Sequence, residues 1–131
     1  MRQFSYSRVR TFEEAVAAHA QAGEGARYIA GGTTLFDLMK LGIEHPLHLI
    51  DVSAIEGSSS IDTQGDRLSF GAGARMAEVA ENPAIRRDYP VLAESLAKAA
   101  SQQLRNMASV GGNLLQRTRC VYFRNGAGGV Y

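Results

Sequence analysis

Two glycine doublets, Gly31-Gly32 and Gly111-Gly112, stand about 80 residues apart and constrain this chain more than any other feature. Each lies between a regular element and small polar residues: Thr33 and Thr34 follow the first, while Ser109 precedes and Asn113 follows the second. A glycine pair permits positive φ angles and brings backbone close to a ligand. Successive N–H groups in such a turn can converge on an anion. A helix begins after the first doublet, and its positive end adds to the attraction for phosphate. A hydroxyl at Thr33 or Thr34 could bond a phosphate oxygen directly. Either doublet taken alone is better explained by a tight turn with no ligand. Neither is the GxGxxG dinucleotide fingerprint, and neither is a Walker loop. The spacing therefore suggests an anion cradle and leaves the ligand unnamed.

Composition narrows the class. Fourteen glycines in 131 residues are about 11% of the chain against ~7% in average usage. Lys plus Arg number 14 and Asp plus Glu 13, a net charge of +1. That balance counts against a nucleic-acid binder and against a polybasic membrane anchor. No apolar run approaches the ~20 residues of a membrane span, and the N-terminus lacks the apolar region of a secretory signal. The single cysteine, Cys120, excludes an internal disulfide framework. At 14.1 kDa the chain is one domain's worth of polypeptide or a piece of a larger protein.

The pattern along the chain is α+β with short, mixed strands. Phe4 and Tyr6 alternate in a first edge strand. Thr11 to Glu14 form a capping box, followed by Phe12, Ala15, Val16, His19 and Ala22 at helical spacing. Arg27 to Ala30 read as a short buried strand. Thr34 to Asp37 form a second capping signature, with Leu35, Leu38, Met39 and Leu41 behind it and Gly42 as the stop. His48 to Val52 are another strand. A hairpin turns at 64–66, with strands near 60–63 and 67–71. A short helix spans 76–81. Pro83 and Pro90 punctuate the next stretch, and Pro90 opens a helix to about Ala100 with Val91, Leu92, Leu96 and Ala99 or Ala100 inward. The tail from Asn125 to Tyr131 has no periodicity.

Ile29-Ala30-Gly31-Gly32-Thr33-Thr34-Leu35, with Leu38-Met39-Lys40 behind it, resembles the first flavin-binding segment of the molybdopterin dehydrogenase FAD-binding family. These are the FAD subunits or domains of xanthine dehydrogenase, carbon monoxide dehydrogenase and related aldehyde oxidoreductases. Gln103-Leu104-Arg105-Asn106-Met107-Ala108-Ser109-Val110-Gly111-Gly112-Asn113-Leu114 resembles the second segment. Phe70-Gly71-Ala72-Gly73-Ala74 and the Pro90 helix fall in the expected order between them. The resemblance covers about residues 2–124.

The resemblance implies a PCMH-type FAD-binding fold: a small N-terminal α/β lobe (1–55), the beginning of a larger α+β lobe (56–124) and an irregular tail (125–131). FAD would lie extended between lobes with its pyrophosphate on the two glycine loops. The residues carried over are Ala30, Gly31, Gly32, Thr33, Thr34 and Leu35 from the first segment, and Ser109, Gly111, Gly112, Asn113 and Leu114 from the second. Arg27 stands where relatives often place a basic residue near the cofactor; a solvated strand-end charge is the other reading. No residue is assigned a catalytic role, because the cofactor carries the redox chemistry. The implied function is the FAD-binding subunit of a molybdenum hydroxylase-type oxidoreductase, relaying electrons from iron–sulfur centres to an external acceptor. Its partners would be a large subunit with the molybdenum cofactor and a small [2Fe–2S] subunit. It would reside in the cytoplasm, or in the periplasm if exported with a partner. The alternative is a truncated, non-catalytic domain of the same fold that binds a nucleotide or a partner. A third reading, a cell-wall sugar-nucleotide dehydrogenase of PCMH type, fits the Arg105-Asn106-Met107 context and the Cys120 segment less well.

Gln116 to Cys120, followed by Tyr122-Phe123-Arg124, resembles the aldehyde-oxidoreductase branch, whose FAD subunit can carry an extra iron–sulfur cluster. Cys120 would be the first ligand of a [4Fe–4S] cluster, which normally needs four thiolates, so only a longer chain could complete one and a free thiol is expected here. Family members run to roughly twice this length or more, which against the usual domain span marks the chain as a fragment, a truncated product or a shortened variant. The remaining polar residues have plain explanations. His19, His45 and His48 lack metal spacing, Ser58-Ser59-Ser60 is a solvated loop, Asp51 is a strand-end cap, and Arg86-Arg87 and Arg117/Arg119 are solvated faces.

Overall fold

The computed structural model describes residues 2–125. The tail expected to be irregular lies outside them, Asn125 excepted. The described residues form two compact units, one from residues 2–55 with 116–125, the other from Glu56–Leu115.

The first unit is built on three parallel strands in the order β1-β3-β2, with β1 Ser5–Arg8, β2 Ala26–Ile29 and β3 His48–Asp51. Register partners share a face of a sheet. Ser5, Ser7, His48, Ile50, Ala26 and Tyr28 therefore face one side, and Tyr6, Arg8, Leu49, Asp51, Arg27 and Ile29 the other. Helix α1, Phe12–Ala22, covers the first side. There Val9, Ala15, Ala26, Ile50 and Ile55 make the core, the Tyr28 hydroxyl donates to the Ala15 carbonyl (3.2 Å), and the His19 ring stacks on Tyr28 at 5.0 Å.

Local signals explain most of this unit, with corrections. Thr11 caps α1, its Oγ1 accepting the Glu14 N–H at 3.1 Å. Glu14 reaches back one residue further than a capping box requires, accepting the Arg10 N–H at 2.8 Å. The inward stripe is narrower than expected: Ala15 is buried, but Phe12 and Val16 are exposed. Small residues let the helix approach the sheet, and that rotation turns the larger side chains outward. β2 is also less buried than expected, since Arg27 and Tyr28 are exposed. Helix α2, Leu35–Lys40, buries Leu38 and Met39. Thr34 does not cap it: this residue is already helical and its side chain makes no capping bond. Asp37 instead pairs with Arg124, which closes the short helix α8, Val121–Arg124. Residues 116–124, read with the second lobe in the sequence, are thus tied to the first unit.

The second unit pairs β4, Ile61–Asp62, with β5, Ser69–Phe70, in an antiparallel hairpin. Five short helices follow: α3 Met76–Glu81, α4 Pro83–Asp88, α5 Pro90–Lys98, α6 Gln102–Met107 and α7 Val110–Leu114. The stretch read as punctuation around Pro83 begins a helix. Asn82 Oδ1 accepts the N–H groups of Ala84 (3.0 Å) and Ile85 (3.2 Å), and proline at the first position lacks only an N–H that would be unpaired there. The core is Ala74, Met76, Val79, Ala80, Ile85, Ala93, Leu96 and Val110. Val91, expected inward, is 80% exposed; Ala93 takes its place. Among the described residues no helix is long and apolar enough to cross a membrane.

Ile85 is fully buried and Val91 is not. Ile85→Ala should therefore cost roughly 2–5 kcal/mol, while Val91→Ala should stay within about 0.5 kcal/mol of wild type. Urea unfolding followed by circular dichroism measures both.

Candidate functional site

The first glycine segment leaves the sheet at the carboxyl end of β2. Open parallel sheets bind ligands beyond that edge. The Ile29 carbonyl accepts the Val52 N–H at 2.9 Å, which holds the end of β2 against the end of β3. Gly32 then takes φ +72, a left-handed conformation that strains any other side chain, and a Cβ there would lie 3.2 Å from Ile29 Cδ1. The Gly32 carbonyl accepts the Phe36 N–H at 2.9 Å and starts α2. Among the described residues, the N–H groups of Gly31, Gly32, Thr33, Thr34 and Leu35 donate to no protein acceptor, and the hydroxyls of Thr33 and Thr34 make no bond to protein. All five residues are half-buried. This segment therefore offers consecutive unused donors on a turn held open by glycine, and it fits the phosphates of a nucleotide cofactor.

The second segment is built differently. Ser109 caps α7, its Oγ accepting the Gly112 N–H at 3.1 Å. The N–H groups of Val110, Gly111 and Asn113 donate to the carbonyls of Ala74 (2.9 Å), Ala72 (2.8 Å) and Ser109 (2.9 Å). Neither Gly111 nor Gly112 has a positive φ. The expected ring of free amides is thus absent at this doublet, whose N–H groups are committed to protein acceptors. Gly111 is required for close approach: a Cβ there would sit 2.8 Å from Ala72 Cβ and 2.9 Å from Ala72 O. What this segment still presents outward is side chains, with Asn113 half-buried and Leu114 exposed.

Gly71 and Gly73, whose purpose the sequence did not disclose, explain the rest of this packing. Gly71 donates to the Ser60 carbonyl (2.8 Å) and Gly73 to the Ser58 carbonyl (2.7 Å). A Cβ on Gly71 would overlap the Ser58 carbonyl oxygen at 2.0 Å. Residues 71–74 thus form a backbone seam, with 58–60 on one side and Val110 and Gly111 on the other. The alternation of glycine with alanine in Phe70-Gly71-Ala72-Gly73-Ala74 was the available signal for such a close approach.

Arg27 is engaged within the protein. Its Nη1 donates to the carbonyls of Glu24 (2.9 Å) and Ala26 (2.8 Å), and its Nε lies 3.4 Å from Glu44. Glu44 also meets Arg117 at 3.8 Å. Cys120 is a free, exposed thiol. Among the described residues no group of three or more His, Cys, Asp or Glu could hold a metal, so these residues do not fit an iron–sulfur cluster.

A buried carboxylate, Asp51, ends the central strand. It accepts hydrogen bonds from the Tyr6 hydroxyl, from Arg8 Nε at 2.7 Å and from the Ser53 N–H at 2.8 Å. Burial opposes its charge, but the bonds from Tyr6, Ser53 and Arg8 prevail and hold its pKa at about 2.

An α+β protein with a glycine turn of unused donors at the carboxyl edge of a parallel sheet fits the class that holds a nucleotide cofactor by its phosphates. The chain belongs to the family of FAD binding domains in molybdopterin dehydrogenase, whose model matches residues 2–120. It is 52% identical over 124 residues to the aldehyde oxidoreductase FAD-binding subunit PaoB of Escherichia coli, covering 94% of this chain and 38% of that protein. It is 33% identical over 112 residues to the carbon monoxide dehydrogenase medium chain of Hydrogenophaga pseudoflava, covering 86% of this chain and 39% of that one. The solved carbon monoxide dehydrogenase from Hydrogenophaga pseudoflava superposes with a TM-score of 0.82 at 33% identity, over 86% of this chain and 39% of that chain. Quinoline 2-oxidoreductase from Pseudomonas putida 86 gives 0.80 at 29% identity, over 86% and 39%. The chain thus spans about two-fifths of the length of these relatives.

The geometry sets two measurable outcomes. The Asp51 pKa is lower in the fold than in the unfolded chain, so its stabilisation is complete above pH ~4 and is lost as pH falls toward 2, an effect of about 2 kcal/mol. Asp51→Asn should remove that much stability at pH 7 and flatten the acid limb of a pH-dependent denaturation series. Gly111→Ala should cost about 1–3 kcal/mol in chemical denaturation, because the added methyl group meets the backbone of Ala72.

Proposed function

We propose that this chain is the FAD-binding part of a molybdenum hydroxylase-type oxidoreductase. Electrons would arrive from [2Fe–2S] centres on a small subunit, originate at a molybdenum cofactor on a large subunit, and leave to an external acceptor. The observation that carries this reading is the row of N–H groups from Gly31 to Leu35, at the carboxyl edge of the parallel sheet, that donate to no acceptor among the described residues, in a chain of a family described as FAD-binding. One relative, an aldehyde oxidoreductase FAD-binding subunit, supports the oxidoreductase assignment.

When bound, FAD supplies the redox chemistry, and the protein supplies position and electrostatics. Gly31, Gly32, Thr33, Thr34 and Leu35 give amides, and Thr33 and Thr34 give hydroxyls, to the diphosphate. Ala30 sets the exit from β2. Ser109, Gly111 and Gly112 shape the second segment, and Asn113 and Leu114 are its remaining candidate residues. Arg27 acts through Glu44 and the turn carbonyls it holds. Each residue acts from within its own unit, and none moves a proton.

Purified chain should carry the yellow flavin band near ~450 nm, and it should copurify with a large molybdenum-containing subunit when the two are co-expressed. Gly32→Val should lose the flavin while keeping its helical circular dichroism. A colourless chain that still binds ADP in calorimetry would support instead a nucleotide-binding domain without redox function.

A further inference from the structure

Arg8 and Asp51 form an ion pair whose arginine side chain stays largely in solvent. Asp51 is buried and already accepts hydrogen bonds from Tyr6 and the Ser53 N–H. Arg8 adds a third through Nε at 2.7 Å, although its own side chain is 59% exposed. Fixing a long, exposed side chain in one geometry costs rotamer entropy. The pair does fix the plane of the guanidinium: with Nε held by the carboxylate, the Nη edge is the part left for a second anion, and that edge binds phosphate oxygens in a fork.

Its position matches the glycine turn. Arg8, Asp51 and Ile29 are register partners at the carboxyl ends of β1, β3 and β2, and all three lie on one face of the sheet. Adjacent strands are ~4.8 Å apart, so Arg8 starts about 10 Å from Ile29, a gap that an arginine side chain covers in large part. Gly32 rests against the Ile29 side chain. The unused donors of the glycine turn and the exposed guanidinium therefore border the same carboxyl edge within one compact unit. Arg27, the basic residue singled out in the sequence, is held by Glu44 and by two backbone carbonyls.

We propose that Arg8, braced by Asp51, is a further phosphate-binding residue of this site and clasps the cofactor diphosphate from the side opposite the glycine turn. The proposal rests on the FAD-binding reading above and names a contact within it. The test is titration of the whole chain with FAD, followed by flavin fluorescence at low and high salt. Arg8→Gln should weaken FAD binding about tenfold at ~20 mM salt and only about twofold at ~500 mM, since an exposed charge is screened. Arg8→Lys, which keeps the charge, should retain most of the salt dependence. In Arg8→Gln the Asp51 carboxylate keeps its bonds from Tyr6 and the Ser53 N–H, and circular dichroism of the variant separates a lost contact from a folding defect. Wild-type affinity and salt dependence in a folded Arg8→Gln variant overturn the Arg8 assignment alone if Gly32→Val still abolishes binding. A wild-type chain that binds no FAD overturns both readings.

Discussion

A carboxylate held in its charged form at the end of a central strand organises the first unit. Asp51 is the last residue of β3, the strand that both neighbours pair with. Through Tyr6 and Arg8 it draws β1 alongside, and through the Ser53 N–H it shapes the chain's exit from the sheet. The next residue, Val52, donates to Ile29 and secures β2. One strand terminus thus aligns three carboxyl ends at the edge where the glycine turn begins. The energetic logic is that of a buried ion kept charged by several donors: its desolvation is offset only while those bonds persist.

The second unit relies on closeness of main chains. Residues 71–74 bond to 58–60 on one flank and to Val110 and Gly111 on the other, at separations that leave no room for side-chain atoms at Gly71, Gly73 or Gly111. The two doublets therefore use the same residue type for different ends. In the first, Gly32 supplies a backbone angle and leaves amides open. In the second, Gly111 supplies a missing Cβ, and the amides close onto neighbouring carbonyls. A motif read only as a string merges these two roles.

How much the sequence disclosed depends on the range of each interaction. Thr11, the helix over 76–81 and the stop at Gly42 rest on bonds between residues three or four apart, and these were legible. The glycine segments were legible as a pair, and through them the family and its α+β fold. The exposure of Val91 and Phe12 depends on the face a helix turns toward partners far along the chain, which helical spacing alone does not fix. Thr34 looked like a cap because its type and spacing suit one, yet Gly32 starts the helix first. Asp51 read as a plain strand cap because Tyr6 and Arg8 reach it across more than forty positions. The same distance in sequence hid Gly71, whose neighbour is Ser58, and the attachment of Arg124 to Asp37.

The attachment of residues 116–125 to the first unit sets an order of events during synthesis. The sheet strands and α2 leave the ribosome early, but Arg117 and Arg124, the partners of Glu44 and Asp37, emerge only after the whole of Glu56–Leu115. Domains tend to form as they emerge, so the nested unit can mature while the one enclosing it is still missing its last piece. The α2 region that follows the glycine turn would then gain these tethers only once the nested unit has already emerged.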